Sequence, residues 1–324
     1  MSSQLPLVLV LGATGNTGQS IVKGLLASGN FRVAALIRPE SLSKPATEAL
    51  RASGVEIRAG DLRDGVESLT KAFAGVDILI SAVSAWVLEL QRDAFRAAKA
   101  AGVKRVVPCD FATPGERGIR ELHDQKFAIQ DFVKELGVPY TFIDVGWWMK
   151  LALPLPERST YPNKEQSYLL FNDGEAKMLL TNLDHIGSYV ARIVADPRTL
   201  NHAVIVWEPE DERTQLEQHE IGARISGEGE AMRAKRVKVT SEELRQRVAA
   251  AREELNKNPD NLQAYGSKAR SEYMLSMHVF RENTLENAKR LGYLDARELY
   301  PDMPKYTLEE FAKEFYDVPG PAPV

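Results

Sequence analysis

The sequence predicts an α/β fold with a doubly wound parallel sheet, followed by a second, smaller and mainly helical domain. The first 145 residues alternate short apolar runs with helix-compatible segments, an order that produces parallel strands covered by helices on both faces. The first apolar run, residues 7–11, passes through a glycine-rich turn directly into a helical segment. After residue 145 the alternation weakens, and aromatic-rich irregular stretches and longer helical segments follow.

Six apolar runs are expected to form the sheet, because each is short and rich in Val, Ile or Leu. They are residues 7–11, 31–37, 55–58, 77–81, 104–108 and 140–144. The helices expected between them are residues 19–27, 44–52, 68–73, 89–101 and 122–136. This arrangement places the ligand site of the fold at the carboxyl ends of the strands.

The domain boundaries follow from the change of pattern near residue 150. Residues 1–150 are expected to form the sheet domain, and residues 181–208, with a helix over 184–194 and a strand over 203–207, to return to it. Residues 146–173 are predicted to be loop-like. Residues 151–180 and 209–316 are expected to form the substrate domain, with helices over 241–256, after a capping box at Thr240, and over 269–278 and 307–315. The Pro- and Gly-rich tail, residues 317–324, is expected to be flexible.

Composition excludes several classes of protein. The 324 residues are 44% hydrophobic and 27% charged, which is typical of a globular protein. A net charge of −4 argues against a nucleic-acid or anionic-membrane partner. No apolar run approaches the length that spans a bilayer, no signal peptide is recognisable, and Cys109 is the only cysteine, so a cytoplasmic location is expected. We predict no metal site.

The glycine-rich turn after the first strand has the spacing GxxGxxG. In a strand–turn–helix unit, such glycines allow a sharp turn, close approach of a phosphate and close helix–strand packing. The free N–H groups of the helix then point at a dinucleotide pyrophosphate, as in a Rossmann-type fold. The alternative is an ordinary glycine turn after a buried strand. The predicted phosphate-binding residues are Gly12, Ala13, Thr14, Gly15, Asn16, Thr17 and Gly18.

Residues at the ends of later strands indicate which dinucleotide binds. Arg38 directly follows the second strand, where an arginine accommodates a 2′-phosphate and an acidic residue would hold the ribose hydroxyl. With Ser41 and Lys44 just beyond, this favours NADPH or NADP+, although a solvated basic loop is the alternative. The other strand-end residues expected to line the cofactor site, or to be ordinary strand ends, are Asp61, Ser81, Ala82 and Val83.

Lys126 is the candidate catalytic residue. It lies early in the helix that follows the fifth strand, and a desolvated lysine beside a cofactor can have a lowered pKa and act as acid or base. The residues alone leave open that Lys126 is an exposed helix lysine.

Several motifs together resemble the NmrA-like and isoflavone reductase-like branch of the atypical short-chain dehydrogenases/reductases, over nearly the whole chain. They are residues 12–18, Arg38, Val-Pro-Cys-Asp-Phe at 107–111, Lys126, Gly-Val-Pro-Tyr-Thr at 137–141, Asp-His-Ile-Gly at 184–187 and Asn-Thr-Leu-Glu-Asn-Ala at 283–288. The resemblance implies that Lys126 is the catalytic acid or base and neighbours the nicotinamide ribose.

Two departures limit what the resemblance implies. The chain has no Tyr-x-x-x-Lys pair, so a tyrosine–lysine ketone reductase is not expected. Gln130 stands where plant reductases of the family carry a basic residue, so the plant substrate is not carried over.

Aromatic residues near the end of the sixth strand suggest the substrate. An aromatic wall suits a flat, apolar molecule, although each of these residues could equally be core. The predicted substrate-binding residues are Trp86, Trp147, Trp148, Met149 and His278, and Gly146 and Trp147 are also expected to contact the cofactor.

Two functions of different classes agree with this pattern. The favoured hypothesis is an NADPH-dependent reductase, monomer or homodimer, that delivers hydride to an aromatic or conjugated small molecule of the secondary-metabolite type. The alternative is an NADP(H)-binding redox-sensing regulator of the NmrA type that does no chemistry. Lys126 and the aromatic stretch favour the enzyme.

Overall fold

The computed structural model describes residues 4–208 and 212–320. Two parts of the predicted domains lie outside the described residues: residues 209–211, where the second segment of the predicted substrate domain begins, and residues 321–324, the end of the predicted tail. A parallel five-stranded sheet forms the centre of the fold, and its neighbouring strands are, in spatial order, residues 56–59, 32–37, 7–11, 78–81 and 105–107. The prediction of an α/β, doubly wound sheet is confirmed.

The strands are β1 Leu7–Leu11, β2 Arg32–Ile37, β3 Glu56–Ala59, β4 Ile78–Ser81, β5 Arg105–Val107, β6 Thr141–Val145, β7 Trp147–Trp148, β8 Leu169–Phe171, β9 Lys177–Thr181, β10 His202–Val206, β11 Glu212–Thr214, β12 Val237–Val239 and β13 Leu294–Asp295. The α-helices are α1 Asn16–Ser28, α2 Pro45–Ala52, α3 Gly65–Ala72, α4 Gln91–Ala100, α5 Glu121–Leu136, α6 Met149–Ala152, α7 Ile186–Ala195, α8 Gln215–Ser226, α9 Gly229–Ala234, α10 Ser241–Lys257, α11 Leu262–Met274, α12 Leu285–Arg290, α13 Ala296–Leu299 and α14 Leu308–Asp317.

Strand β1 shows why the sheet is covered on both faces. All five of its residues are buried, and successive side chains of a strand point to opposite faces. Val8 and Val10 belong to one hydrophobic core, and Leu7, Leu9 and Leu11 belong to the other. A continuous apolar run without polar alternation is therefore the pattern that a central parallel strand requires.

The sheet continues beyond β5. A parallel bridge joins Val106 to Tyr140 just before β6, β6 pairs with β10, and β10 pairs with β13, all in parallel. Residues 202–206 thus return to the sheet. Strand β13 does so too, which corrects our placement of residues 294–295 in the substrate domain; a two-residue strand is too short to give a sequence signal.

The rest of the chain is mainly helical and also contains two small sheets, β7-β9-β11 and β8-β12. The stretch predicted to be loop-like therefore contains β7, α6 and β8. Thr240 and Glu243 form the predicted capping box of α10. Helix α11 begins seven residues earlier than predicted, at Leu262 rather than 269, and continues into a π-helical turn, Leu275–Val279. In the part of the chain that the structure describes, no helix has the length and apolarity to cross a membrane.

Candidate active site

The turn between β1 and α1 is held in shape by its first and third glycines. Gly12 has a φ of +74°, a left-handed conformation that favours glycine. A Cβ on Gly12 would collide with the carbonyl oxygen of Ala82, and a Cβ on Gly18 with that of Gly12. These two glycines are therefore needed by the protein itself, for close packing of β1, α1 and the end of β4.

The middle glycine differs. Gly15 has an ordinary φ of −79°, and a Cβ built on it would meet only the Gly12 carbonyl oxygen, at 3.4 Å. Gly15 is exposed and precedes α1, whose N-terminus has neither a side-chain cap nor an acidic residue in its first turn. The protein alone does not require a glycine here. The uncapped helix end and the open space above Gly15 form a place where an anion can approach the backbone.

A cleft of 300 Å³ opens beside this turn, which we call the glycine cleft. It brings together predicted residues from four strand ends: Gly12, Ala13, Thr14, Arg38, Ser41, Asp61 and Val83. Gly15, Asn16, Thr17 and Gly18 lie at the start of α1, directly after it. Arg38 is exposed and forms an ion pair at 3.2 Å with Glu40, an acidic residue two positions further along the chain.

Three further predicted cofactor residues, Lys44, Ser81 and Ala82, do not line the described cleft. Lys44 is exposed and forms the N-cap of α2. Ser81 is fully buried, and its hydroxyl has no hydrogen-bond partner among the described residues. Ala82 contributes its backbone, which hydrogen-bonds to Leu11 and lies against Gly12.

A second cavity, of 190 Å³, is lined by Lys126, and we call it the Lys126 cavity. Its other lining residues are Phe111, Ala112, Thr113, Gly146, Trp147, Trp148, Leu151 and Tyr273. Four predicted site residues, Lys126, Gly146, Trp147 and Trp148, thus meet in one place. A Cβ on Gly146 would lie 2.6 Å from the carbonyl oxygen of Leu179, so the close passage of β9 requires this glycine.

Contacts through the segment after β5 join the two spaces. The Cys109 thiol donates to the carbonyl oxygen of Val83, a residue of the glycine cleft, at 3.0 Å. The next residue, Asp110, accepts a hydrogen bond from Lys126 Nζ through its backbone carbonyl. One short segment therefore positions Lys126 beside the inner end of the glycine cleft.

The Lys126 side chain is buried, not exposed on its helix. Burial by itself lowers the pKa of Lys126, but nearby Tyr273, Cys109, Asp110 and Asp144 outweigh it, and the pKa is raised. Our expectation of a lowered pKa is corrected, because the sequence did not show the acidic groups around the amine. Lys126 is an ammonium ion at neutral pH.

Two buried carboxyl groups lie near that ammonium. Burial and the neighbouring Asp144 raise the pKa of Asp110 to about 8, although Lys126 opposes the shift. Burial also raises the pKa of Asp144, which accepts hydrogen bonds from the Tyr293 hydroxyl at 2.6 Å and the Ala112 amide at 3.2 Å. The Oδ2 atom of Asp110 has no hydrogen-bond partner among the described residues. The site thus holds more acid groups than can ionise together.

Three predicted substrate residues lie elsewhere. Trp86 is 57% exposed and packs against Tyr265, with ring centres 4.6 Å apart and ring planes tilted by 43°, outside the Lys126 cavity. Met149 is fully buried in the core of the substrate domain, because α6 turns it inward. His278 is buried against Phe171, and its ring lines a neighbouring small cavity.

Sequence reasoning missed Tyr273, Asp144 and Arg120. Asp144 lies near the carboxyl end of β6, a position that could have singled it out. Arg120 is fully buried, donates to the Thr113 hydroxyl at 2.8 Å and places its guanidinium 4.7 Å from the Tyr273 ring centre. Tyr273 comes from α11 and carries no local signal.

Comparisons with known proteins agree with this architecture. The model of the NmrA-like family matches residues 5–312. The asnovolin J 5′,6′-dehydrogenase of Aspergillus novofumigatus is 38% identical over 317 residues, which cover 96% of this chain and 95% of that enzyme. A phenylcoumaran benzylic ether reductase of Pyrus communis is 29% identical, and the match covers 95% of this chain and 98% of that reductase. The chain belongs to the NmrA-like family, and the resemblance drawn from its motifs is confirmed.

Solved structures share the fold. The binary complex of leucoanthocyanidin reductase with NADPH from Vitis vinifera has a TM-score of 0.78 at 22% identity and covers 96% of this chain and 100% of that one. A complex of AtPrR2 with NADP+ and (+)pinoresinol has a TM-score of 0.76 at 23% identity, and the match covers 97% of this chain and 99% of that one. At these identities the likeness supports the fold of the whole chain.

Proposed function

We propose that this protein is an NADPH-dependent oxidoreductase that delivers hydride to an aromatic or conjugated small molecule, with Lys126 as general acid and base. One observation carries the proposal: the glycine cleft and the Lys126 cavity are neighbours, joined by the Val83–Cys109 and Asp110–Lys126 contacts. A cleft suited to a dinucleotide thus ends beside a buried ammonium ion and an aromatic wall.

The residues present fit NADPH. Gly15 and the uncapped start of α1 accept a pyrophosphate, because no side chain fills that space. Arg38 and Ser41, which line the outer part of the glycine cleft, accept the 2′-phosphate. When bound, NADPH supplies the hydride.

Lys126 performs the proton chemistry. Its raised pKa keeps it positively charged, so it stabilises negative charge that develops on a conjugated substrate when hydride is added. It then supplies the proton, directly or through water, while its hydrogen bond to the Asp110 carbonyl holds the amine in place. Trp147, Trp148 and Tyr273 keep the Lys126 cavity apolar and orient a flat ring.

The relatives' names support hydride chemistry on small organic molecules, and they include both a dehydrogenase and reductases. The same residues serve both directions, since an acid in reduction is a base in oxidation. We further propose that the protein works in the cytoplasm, as a monomer or homodimer.

The test is NADPH consumption with a panel of aromatic enones, quinone methides and phenolic ethers, followed by absorbance. Lys126→Ala should lose about 10²–10⁴-fold in turnover at saturating NADPH, as expected for a positioned acid–base group. The matched control is Lys134→Ala, an exposed lysine two helical turns further along α5, which should turn over normally. Lys126→Arg should stay impaired, because a guanidinium does not release its proton.

Two results would contradict the proposal. Unchanged turnover of a verified substrate by Lys126→Ala would remove the proton role. If no member of the panel consumed NADPH while NADPH changed the affinity for a protein partner, the redox-sensing regulator would become the better description.

A further inference from the structure

Three more cavities lie in the substrate domain, and each shares wall residues with the Lys126 cavity or with another of the three. Trp147 and Leu151 line both the Lys126 cavity and a neighbouring space of 40 Å³. Arg270 and Gln166 line that 40 Å³ space, and the same two residues also line a second cavity of 140 Å³ and a third cavity of 410 Å³. Shared wall residues therefore connect the proposed reaction centre with a larger outer space, which we call the outer cavity (410 Å³).

The outer cavity has a positive wall. Arg247 from α10 and Arg270 from α11 both line it and are also exposed to solvent, and none of its described lining residues is acidic. Neither guanidinium has a hydrogen-bond or ion-pair partner among residues 4–208 and 212–320. Most other arginines of the described chain are paired, as Arg252 is with Glu272 at 2.9 Å. Two unpaired like charges at one cavity leave room for an anion to neutralise them.

Electrostatics support this description of Arg270. Desolvation by the cavity walls lowers the pKa of Arg270, the nearby Tyr161 opposes that effect, and the positive charge of Arg247 lowers the pKa further. The arginine still remains charged, since a guanidinium keeps its proton at any physiological pH. The attraction of a bound anion would offset both the cost of desolvation and the repulsion from Arg247.

Helix α11 relates the two ends of the path. Arg270, on the positive wall, and Tyr273, on the Lys126 cavity, are three residues apart on α11, so just under one helical turn, a rise of about 4.5 Å along the helix axis, separates their backbone positions. Between them, the 40 Å³ space is lined by His278, whose buried Nδ1 has no partner within the described residues. Burial lowers the pKa of His278 to about 4, so it is a neutral polar group there.

Resting on the proposed function, we infer that the substrate carries a carboxylate at the end remote from the reacting carbon, and that Arg270 and Arg247 bind it. The reacting end lies at Lys126, the ring system passes Trp147 and Leu151, and the carboxylate enters the outer cavity. The two arginines select acids over neutral analogues and take no part in hydride or proton transfer.

The test compares two probes with the same ring system, 4-carboxychalcone, which carries a negative charge, and its neutral methyl ester. Each is titrated by calorimetry into the protein saturated with NADP+, which measures affinity without turnover. A charge-assisted contact predicts that the acid binds about tenfold to a hundredfold more tightly than the ester. Arg270→Gln and Arg247→Gln should each weaken the acid by about that factor and leave the ester unchanged.

Arg245→Gln is the matched control, because Arg245 lies on the same helix as Arg247, is exposed and lines none of these cavities. It should keep the preference for the acid. Where the probes are turned over, the Arg270 variant should raise KM for the acid with kcat unchanged, the mark of binding that is equal in ground and transition states.

Equal affinity of the unmodified protein for acid and ester would overturn the inference, as would a preference that survives both Arg270→Gln and Arg247→Gln. Failure of the proposed function looks different: neither probe nor any member of the panel would lead to Lys126-dependent consumption of NADPH, whatever the affinities for acid and ester. An ester that is reduced with a Lys126-dependent rate, together with no preference for the acid, would leave the reductase standing and reject the carboxylate site.

Discussion

Replacing Gly15 by valine should abolish cofactor binding and leave the apo fold intact. Gly15 has φ −79° and ψ 168°, which suit a β-branched residue, and its Cβ would have only one neighbour, at 3.4 Å. Gly15 is the N-cap of α1, where valine is less favourable than glycine, so the substitution should cost about 1 kcal/mol of the free energy of unfolding. The valine side chain would instead occupy the space above the first turn of α1, where the pyrophosphate has to approach.

Gly18→Ala is the contrasting variant. Its new Cβ would collide with the backbone carbonyl of Gly12 inside the protein. Backbone cannot give way as a flexible side chain does, so overpacking should cost about 1–3 kcal/mol or more of the free energy of unfolding, with or without cofactor. The two glycines of one motif are thus separated into one needed for the ligand and one needed for the fold.

Urea unfolding followed by circular dichroism measures both effects. At NADPH one hundred times above its Kd, the unmodified protein should gain about 2.7 kcal/mol. A hundredfold weaker Kd in Gly15→Val would reduce that gain to about 0.4 kcal/mol. If Gly15→Val showed the full NADPH-induced stabilisation, the cofactor would not lie on this turn, and the argument from open space would be wrong.

Three further predictions concern other parts of the chain. Arg38→Ala should weaken NADPH binding about tenfold to a hundredfold and NADH binding far less, measured by calorimetry; equal affinities of the unmodified protein for both would contradict it. Gly187→Ala should destabilise the apo protein by at least about 1–3 kcal/mol in urea, because its Cβ would collide with the Ser20 backbone where α1 and α7 cross; an unchanged midpoint would disprove that close approach. The hydrogen bond to Glu208 raises the pKa of His185 in the folded protein above its value of about 6.5 in the unfolded chain. The pair therefore stabilises the fold fully at pH values below about 6.5, and this stabilisation is lost as the pH rises through the folded-state pKa. Glu208→Gln should flatten that part of the pH–stability curve, and a curve identical to that of the unmodified protein would refute the assignment.

The central sheet of the fold could be predicted from the sequence, because its strands and helices follow from local pattern. Strands β1 to β6 are short apolar runs with helices between them, and their order along the chain almost dictates a parallel sheet. Strand β13 and the small sheets are two- to five-residue pairings that depend on tertiary contact, so no periodicity marks them. The π-helical turn after α11 is equally invisible in sequence.

The candidate active site also contains residues that local sequence pattern predicts and residues that only the folded chain brings in. The glycine turn, Arg38 and Lys126 have fixed relations to strand ends, and the rule for this fold places them together. Tyr273 and the two outer arginines come from helices more than a hundred residues further along the chain, and only the folded substrate domain brings them to the same path. Met149 shows the opposite error, since a residue adjacent to the aromatic pair in sequence is turned away from it by one short helix.

The buried charges around Lys126 explain how the protein can keep a functional ammonium ion in its interior. An isolated buried cation costs several kcal/mol, and the acidic groups around Lys126, namely Tyr273, Cys109, Asp110 and Asp144, together offset that cost. Because the pKa of Asp110 is about 8, this carboxyl group is already mostly protonated at neutral pH, and loss of the lysine charge would raise its pKa further and keep it neutral. Lys126→Ala should therefore fold with a neutral Asp110 in place of an uncompensated buried charge. A loss of turnover in that variant then reports on the missing ammonium ion and not on a collapsed site.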